Sequence, residues 1–473
     1  MSRSPQAEAP AHPVELSRAR MFGLIAVVGL GVSAGPLDSA VNVAFPATIA
    51  AFGVGVDAVQ WIVVSYVLTY SCLLLGCGRI ADIIGHKRVF VIGMLWSIAA
   101  LCLCASARAF EWFLLGRIAQ GIGTAALLSC GPALMTLSFP ASERTRALAW
   151  YALLFSSASA AGPLLGGLFV EAYGWTSVFW FRVPILGIAL LGAWFVLPSN
   201  VTANTAQTFD WLGALALIAT LFAAMAALNS FGRFGFVHAW PWLLLGVSIL
   251  CGYAFIRRAL AIAHPIIDLR LFRDRLFASA NLAHVLVNAA SFMVMLLVPF
   301  YLARVFANEA LLIGGFLALY PLGAVLASGV ARLGLERFGA VVVSHFGLAL
   351  AASGLFLASA WPAEAVIWHI VLALGLHGFG YGLFQVAVVD VVMATVPRSA
   401  QGVGGSLNML TRTLGVVAGA SLGSSLFTSL GGSAQASSSN FLGAHATVFA
   451  VAGIVVITAS ALLMWTVPRE RPS

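Results

Sequence analysis

The sequence predicts an all-α protein that crosses a membrane many times, and three observations carry that reading. The chain of 473 residues is 61% hydrophobic and only 8% charged, against roughly 25% charged in soluble domains; its mean hydropathy is +1.00. Between charged or Pro/Gly-rich breaks lie fourteen apolar runs, each near the roughly 20 residues a spanning helix needs. With the N-terminus inside, eighteen lysines and arginines fall in inner segments, and three (Arg108, Arg233 and Arg304) fall in outer ones. Cytoplasmic loops carry such an excess, and a missed helix would scramble the split. The net charge of +8 is therefore topology rather than a nucleic-acid surface. Both termini are expected in the cytoplasm, and the protein in the cell (inner) membrane as a multi-pass chain.

The elements follow in order. Residues 1–20 are polar, rich in Pro and Ala, and without a cleavable signal pattern, so they read as a cytoplasmic tail. Runs at 21–45, 57–78, 89–107, 111–138, 146–170 and 176–197 make a first six-helix bundle, 21–198. A polar linker, "SNVTANTAQTFDW" (199–211), leads to runs at 210–230 and 239–256, an inserted pair within 199–262. After the basic stretch from Arg257 to Arg275, runs at 276–303, 311–331, 340–360, 364–392, 403–429 and 445–467 make a second six-helix bundle, 263–473. The six cysteines lie in or beside apolar runs. None has metal-ligand or redox spacing, so they read as small core residues.

Between the second and third runs stands "GRIADIIGHKRVF" (78–90). Gly78 and Gly85 allow tight backbone, Asp82 can cap a helix start, and Arg79, Lys87 and Arg88 hold the loop inside. The whole resembles the G-R-x-A-D-x-x-G-x-K/R-R signature of the major facilitator superfamily. "LDSAVNVAFP" (37–46) resembles the first-helix motif of that family's fourteen-helix drug:proton antiporter branch, and "GRIAQGIGTA" (116–125) its fourth-helix motif. "GPLLGG" (162–167) is similar to its antiporter motif through Gly162, Pro163, Gly166 and Gly167, with Ala158 where an upstream glycine is usual. "PIIDLRLF" (265–272) fits the segment before the ninth helix, and Arg412 matches an arginine common in the penultimate one. "FRVP" (181–184) departs from the branch's "FLINVP", with Arg182 in place of the asparagine. The resemblance implies two pseudo-symmetric bundles rocking around a central site. It also implies a cytoplasmic gate at 78–88 that locks the outward-facing state through Asp–Arg contacts, and a cavity lined by spans one, four, nine and twelve.

Each of those four spans carries one polar stripe at spacings of three and four, hence on one face. Span one has Asp38 and Asn42, and span four Arg117, Gln120 and Thr124. Span nine has Asn281, His284, Asn288 and Ser291, and span twelve His377, Tyr381 and Gln385. Such stripes serve either as interhelical glue, at about 0.6 kcal/mol per bond, or as a cavity wall. With Arg412 they form the expected substrate cavity. Asp38 is the only ionisable side chain between Arg20 and Asp57, where a charge costs at least about 2.5–3.5 kcal/mol. At 1.5 Å per residue it reaches the same depth as Arg117. The pair is either a proton-coupling site or a structural ion pair. His284 and His377 are second proton sites, substrate contacts or neutral core residues.

No spaced nucleophile–base set, metal cluster or phosphate loop is present in the sequence, so no enzyme, metal or cofactor is expected. The resemblance implies a proton-driven antiporter that exports hydrophobic drugs or amphiphilic metabolites, acting as a monomer in the bilayer. One deep carboxylate against three deep arginines (Arg117, Arg182 and Arg412) favours neutral or weakly anionic substrates over dications. The alternatives are a dedicated exporter of one metabolite or siderophore, and a membrane sensor or scaffold that no longer transports.

Overall fold

The computed structural model describes residues 18–139, 143–197, 210–234, 237–262, 269–364, 366–395, 401–433 and 435–466. The tail before Arg18, most of the 199–211 linker and the "PIID" of 265–268 lie outside them. Every regular element among these residues is helical. Lipid offers no partner for a bare peptide group, so a spanning chain must close its hydrogen bonds internally. Eleven helical segments among the described residues are long and apolar enough to cross a membrane.

The first span is not one helix. α1 (Arg18–Ser33) stops before Gly35-Pro36, a one-turn 3-10 segment covers Pro36–Ser39, and α2 (Ala40–Val43) and α3 (Phe45–Phe52) follow. Proline has no N–H to continue the ladder; instead Gly35 N donates to Val32 O at 3.1 Å. α4 (Val59–Ile84) and α5 (His86–Ser106) meet at a single residue, Gly85, with φ +104°. The segment 78–84 is therefore the last two turns of a helix rather than a loop. Gly78 is helical, and Asp82 makes no capping bond to the start of α5. α6 (Phe110–Ser138), α7 (Arg144–Tyr173), α8 (Ser177–Trp180) and α9 (Arg182–Val196) complete this half.

α10 (Trp211–Phe234) and α11 (Ala239–Ala261) form a hairpin whose first helix packs on α4 and α15. Buried Asp210 joins its ends, accepting from Gly213 N at 2.8 Å and from Arg258 Nε. The rest comprises α12 (Arg275–Val305), α13 (Ala310–Ser359), α14 (Ile367–Thr395), α15 (Gln401–Ser429) and α16 (Ser438–Thr466). α13 covers the runs 311–331 and 340–360 as two limbs turned at Gly339, φ +79°. α12 packs with α15 and α16, and α13 with α14 and α16. Small residues set these crossings, since lipid-solvated helices associate by close packing rather than by expelling water. A Cβ on Gly347 would stand 2.7 Å from Gly380 O, and one on Gly323 2.8 Å from Phe379 N. The two halves meet along α7 with α13 and along α4 with α15.

Candidate functional site

The Gly35-Pro36 break aims Asp38 sideways, into the junction of α4, α6 and α9. Arg117 grips it with both outer nitrogens, Nη1 to Oδ1 and Nη2 to Oδ2, each at 2.7 Å. Such a fork-on-carboxylate pair is short and directional. Arg117 Nε donates to Ile62 O at 3.0 Å, and its guanidinium lies 4.4 Å from the centre of the Tyr66 ring. Gln120 accepts from Arg117 Nη1 at 2.7 Å and donates to Asp38 Oδ1 at 3.0 Å. The sequence marks Arg182 as a departure from the branch pattern and as a deep arginine, but does not place it beside Asp38. Its Nη1 donates to the same Oδ1 at 2.9 Å, and its Nε to Val178 O at 2.8 Å. Both arginines are 1% exposed. Asp38 thus accepts four N–H bonds within a cluster of one negative and two positive charges.

One edge of this cluster opens on a cavity of about 180 Å³ between the halves. Asp38, Asn42 and Arg117 line it from the first half, and Asn288, Ser291, Tyr381 and Arg412 from the second. Tyr66, Tyr70, Phe155, Phe292 and Tyr320, outside the four polar stripes, also form the wall. They come from α4, α7, α12 and α13, so helices beyond spans one, four, nine and twelve contribute.

Thr124, Asn281, His284, His377 and Gln385 lie away from the wall, and Asn288 ties the wall to them. Thr124 is buried against Gly35. Asn281 Nδ2 donates to Phe277 O one turn back at 2.8 Å. His284 is held between Thr411 Oγ1 at 2.8 Å and Gln385 Oε1 at 2.9 Å. Asn288 Nδ2 donates to His284 O at 2.7 Å while its Oδ1 accepts from the Tyr381 hydroxyl at 2.9 Å. His377 faces α13, with Nδ1 3.1 Å from Ala351 O and its ring stacked on Tyr320. The stripes on α12 and α14 therefore serve partly as glue between helices and partly as wall.

The "GPLLGG" segment of α7 is a saddle for two backbones. A Cβ on Gly166 would stand 2.9 Å from Ala40 Cα, and one on Gly162 3.3 Å from Ala40 N, so these glycines seat the short helix beside Asp38. Gly167 faces the other half, where an added Cβ would stand 2.6 Å from Ala310 O and 3.1 Å from Gly314 Cα. The Pro163 carbonyl meets Gly314 directly. One turn on, Glu171 Oε2 accepts from Ala310 N at 2.7 Å and caps the start of α13. The halves are closed together at this end.

At the opposite end, Asp82 lies 3.8 Å from Arg79 and 3.5 Å from His86. Lys87 Nζ donates to Leu197 O at 2.6 Å, satisfying a carbonyl at the end of α9, a common use of lysine there. Arg88 is exposed. These contacts of Asp82 and Lys87 lie within the first half.

A broken first helix, a buried charge cluster and a cavity between two bundles define a class: membrane proteins built to pass a small solute. The Major Facilitator Superfamily family model matches residues 21–272 and 280–473, and the chain belongs to that superfamily, whose members are transporters rather than enzymes. It is 26% identical over 406 residues to a riboflavin transporter, RibZ, of Clostridioides difficile, covering 85% of this chain and 88% of that one. It is 27% identical over 412 residues to a methylenomycin A resistance protein of Bacillus subtilis, covering 85% and 86%. A solved POT family transporter in complex with 5-aminolevulinic acid has the same fold, with a TM-score of 0.71 at 13% identity over 95% of this chain and 96% of that one.

Proposed function

We propose that the chain is a proton-coupled antiporter of the fourteen-helix branch, exporting hydrophobic drugs or amphiphilic metabolites by alternating access. The reading includes six-helix bundles at 21–198 and 263–473 around an inserted pair, both termini cytoplasmic, in a monomer of the inner membrane. The observation that carries it is Asp38, a carboxylate on the cavity wall whose lone pairs are taken by Arg117, Arg182 and Gln120. Guanidinium and proton compete for the same oxygens, so conformations that loosen the cluster load a proton and conformations that restore it expel one. The closed end at Gly167 and Gly314 supports an inward-facing or occluded member of the cycle. Coupling would draw on the membrane potential, about 2.3 kcal/mol per charge per 100 mV, and needs no cofactor. The methylenomycin A resistance relative supports drug export; the riboflavin transporter supports a second reading, a transporter dedicated to one metabolite.

The test is a proteoliposome with an imposed proton gradient and an internal pH dye, challenged with mixed amphiphiles. Wild type is expected to release protons on substrate addition, and Asp38→Asn, less stable without the counterion of two arginines but reconstituted as monodisperse protein, to be silent. Undiminished flux in Asp38→Asn would remove Asp38 from the coupling role.

A further inference from the structure

The charges of the cavity do not balance, and the imbalance has an address. Asp38 is saturated by two guanidiniums and an amide, so it is not free to neutralise anything else. Arg412, on α15, lines the same cavity and makes no ion pair among the described residues. Its electrostatic neighbours are the tyrosines 381, 70 and 320. Ser291, 3% exposed and on the same wall, has its Oγ beside the Tyr320 hydroxyl. Arg412 is half-buried and hydrogen-bonds to Tyr381, which carries no charge; a guanidinium partly withdrawn from water with no counterion gains from an anionic partner. Arg412 is also the donor best shaped for an oxyanion, because its planar fork offers two parallel N–H bonds.

The surroundings specify the rest of the ligand. The aromatic rings of Tyr70, Phe292, Tyr320 and Phe155 border the cavity and offer flat apolar surface. The charged side chains of its wall, Asp38, Arg117 and Arg412, sum to one positive charge, and Arg182 behind Asp38 adds a second. A cationic amphiphile entering there meets repulsion, and a neutral one leaves Arg412 unpaired.

We propose that the cavity binds amphiphiles with a single anionic group, a carboxylate or phenolate, whose oxygens sit on Arg412 beside Ser291 while a flat apolar body lies against the tyrosine and phenylalanine rings. This rests on the cavity being the substrate site and narrows the substrate to organic acids.

The probes are three molecules of one shape: 2-naphthoate, its methyl ester, and 2-naphthylmethylammonium. Binding to the full chain in phosphatidylcholine nanodiscs is measured by calorimetry, with empty nanodiscs subtracted for partitioning. The acid is expected to bind at least tenfold tighter than either analogue, Arg412→Gln to bring it within threefold of the ester, and Arg412→Lys to keep part of the preference. Equal or tighter binding of the ester or the ammonium, a tenfold acid preference persisting in Arg412→Gln, or no binding of the acid at millimolar concentration would each overturn the proposal. Should Arg412→Gln fail to fold, the wild-type comparison of the three probes still decides. Because binding is read without a gradient, an intact acid preference with no proton flux would sink the antiporter reading and leave the site standing. Flux without acid preference would do the reverse.

Discussion

Asp38 shows how one residue's meaning depends on what the fold brings to it. Its four N–H donors take both oxygens, so the carboxylate is paired on every side that is not cavity. Removing one partner of such a buried pair leaves charge uncompensated and typically costs about 3–5 kcal/mol. Arg117→Ala is therefore expected to destabilise strongly in detergent unfolding. The triple variant Asp38→Leu/Arg117→Leu/Arg182→Leu should recover most of that stability without recovering transport. A triple variant less stable than Arg117→Ala would contradict the charge argument. The pair with Arg117 was legible in the sequence because helical rise places both at one depth. The second arginine was not: Arg182 looked like a local departure, since no periodicity reveals that the start of α9 abuts a break in the first span. The histidines were half legible. Spacing gives the face of a helix but not which neighbour it meets, and here His284 and His377 meet helices rather than the cavity.

At the scale of elements, α7 shows why four motif residues hold glycine or proline. Its saddle touches Ala40 on one side and α13 on the other, and side chains would separate both. Gly167→Val is expected to prise open the end that carries Ala310. Its check is a cysteine placed at Ser39, on the cavity wall, in a background without the native cysteines. Labelling by an impermeant maleimide from the Ala310 side should rise several-fold with the valine, and unchanged labelling would contradict the closure described here. The glycines of "GPLLGG" were readable as a motif. Their partner Gly314 was not, because it sits in an unremarkable apolar run 147 residues after Gly167. The basic segment 78–90 was readable as a tight connection, yet its first seven residues finish a helix and only Gly85 turns.

The whole molecule divides its chemistry unevenly. The first half holds the charged cluster; the second threads neutral groups from Thr411 through His284 to Gln385, and from Tyr381 to Asn288. Composition and run length sufficed to foresee a helical membrane chain, because the bilayer permits little else. The path of the first span depended on how Gly35-Pro36 packs, which sequence alone does not rank. Orientation follows from the lysine and arginine bias, and single cysteines test it. In intact cells Arg108→Cys should be labelled from outside, while Arg88→Cys, exposed at the other end, should need permeabilisation; the opposite pattern would invert the assignment.

Every donor to Asp38 comes from its own bundle: Arg117 and Gln120 on α6, and Arg182 on α9. Swinging one bundle against the other as a solid body alters none of those distances. It changes only which compartment's water can reach the cavity edge. If the bundles rock in this way, the cluster rides as a passenger, and any release of it is a separate event inside one bundle. Separate events can be ordered. If release waits for an occupied cavity, an empty turnover carries no proton, and the gradient does not run down through an idle pump.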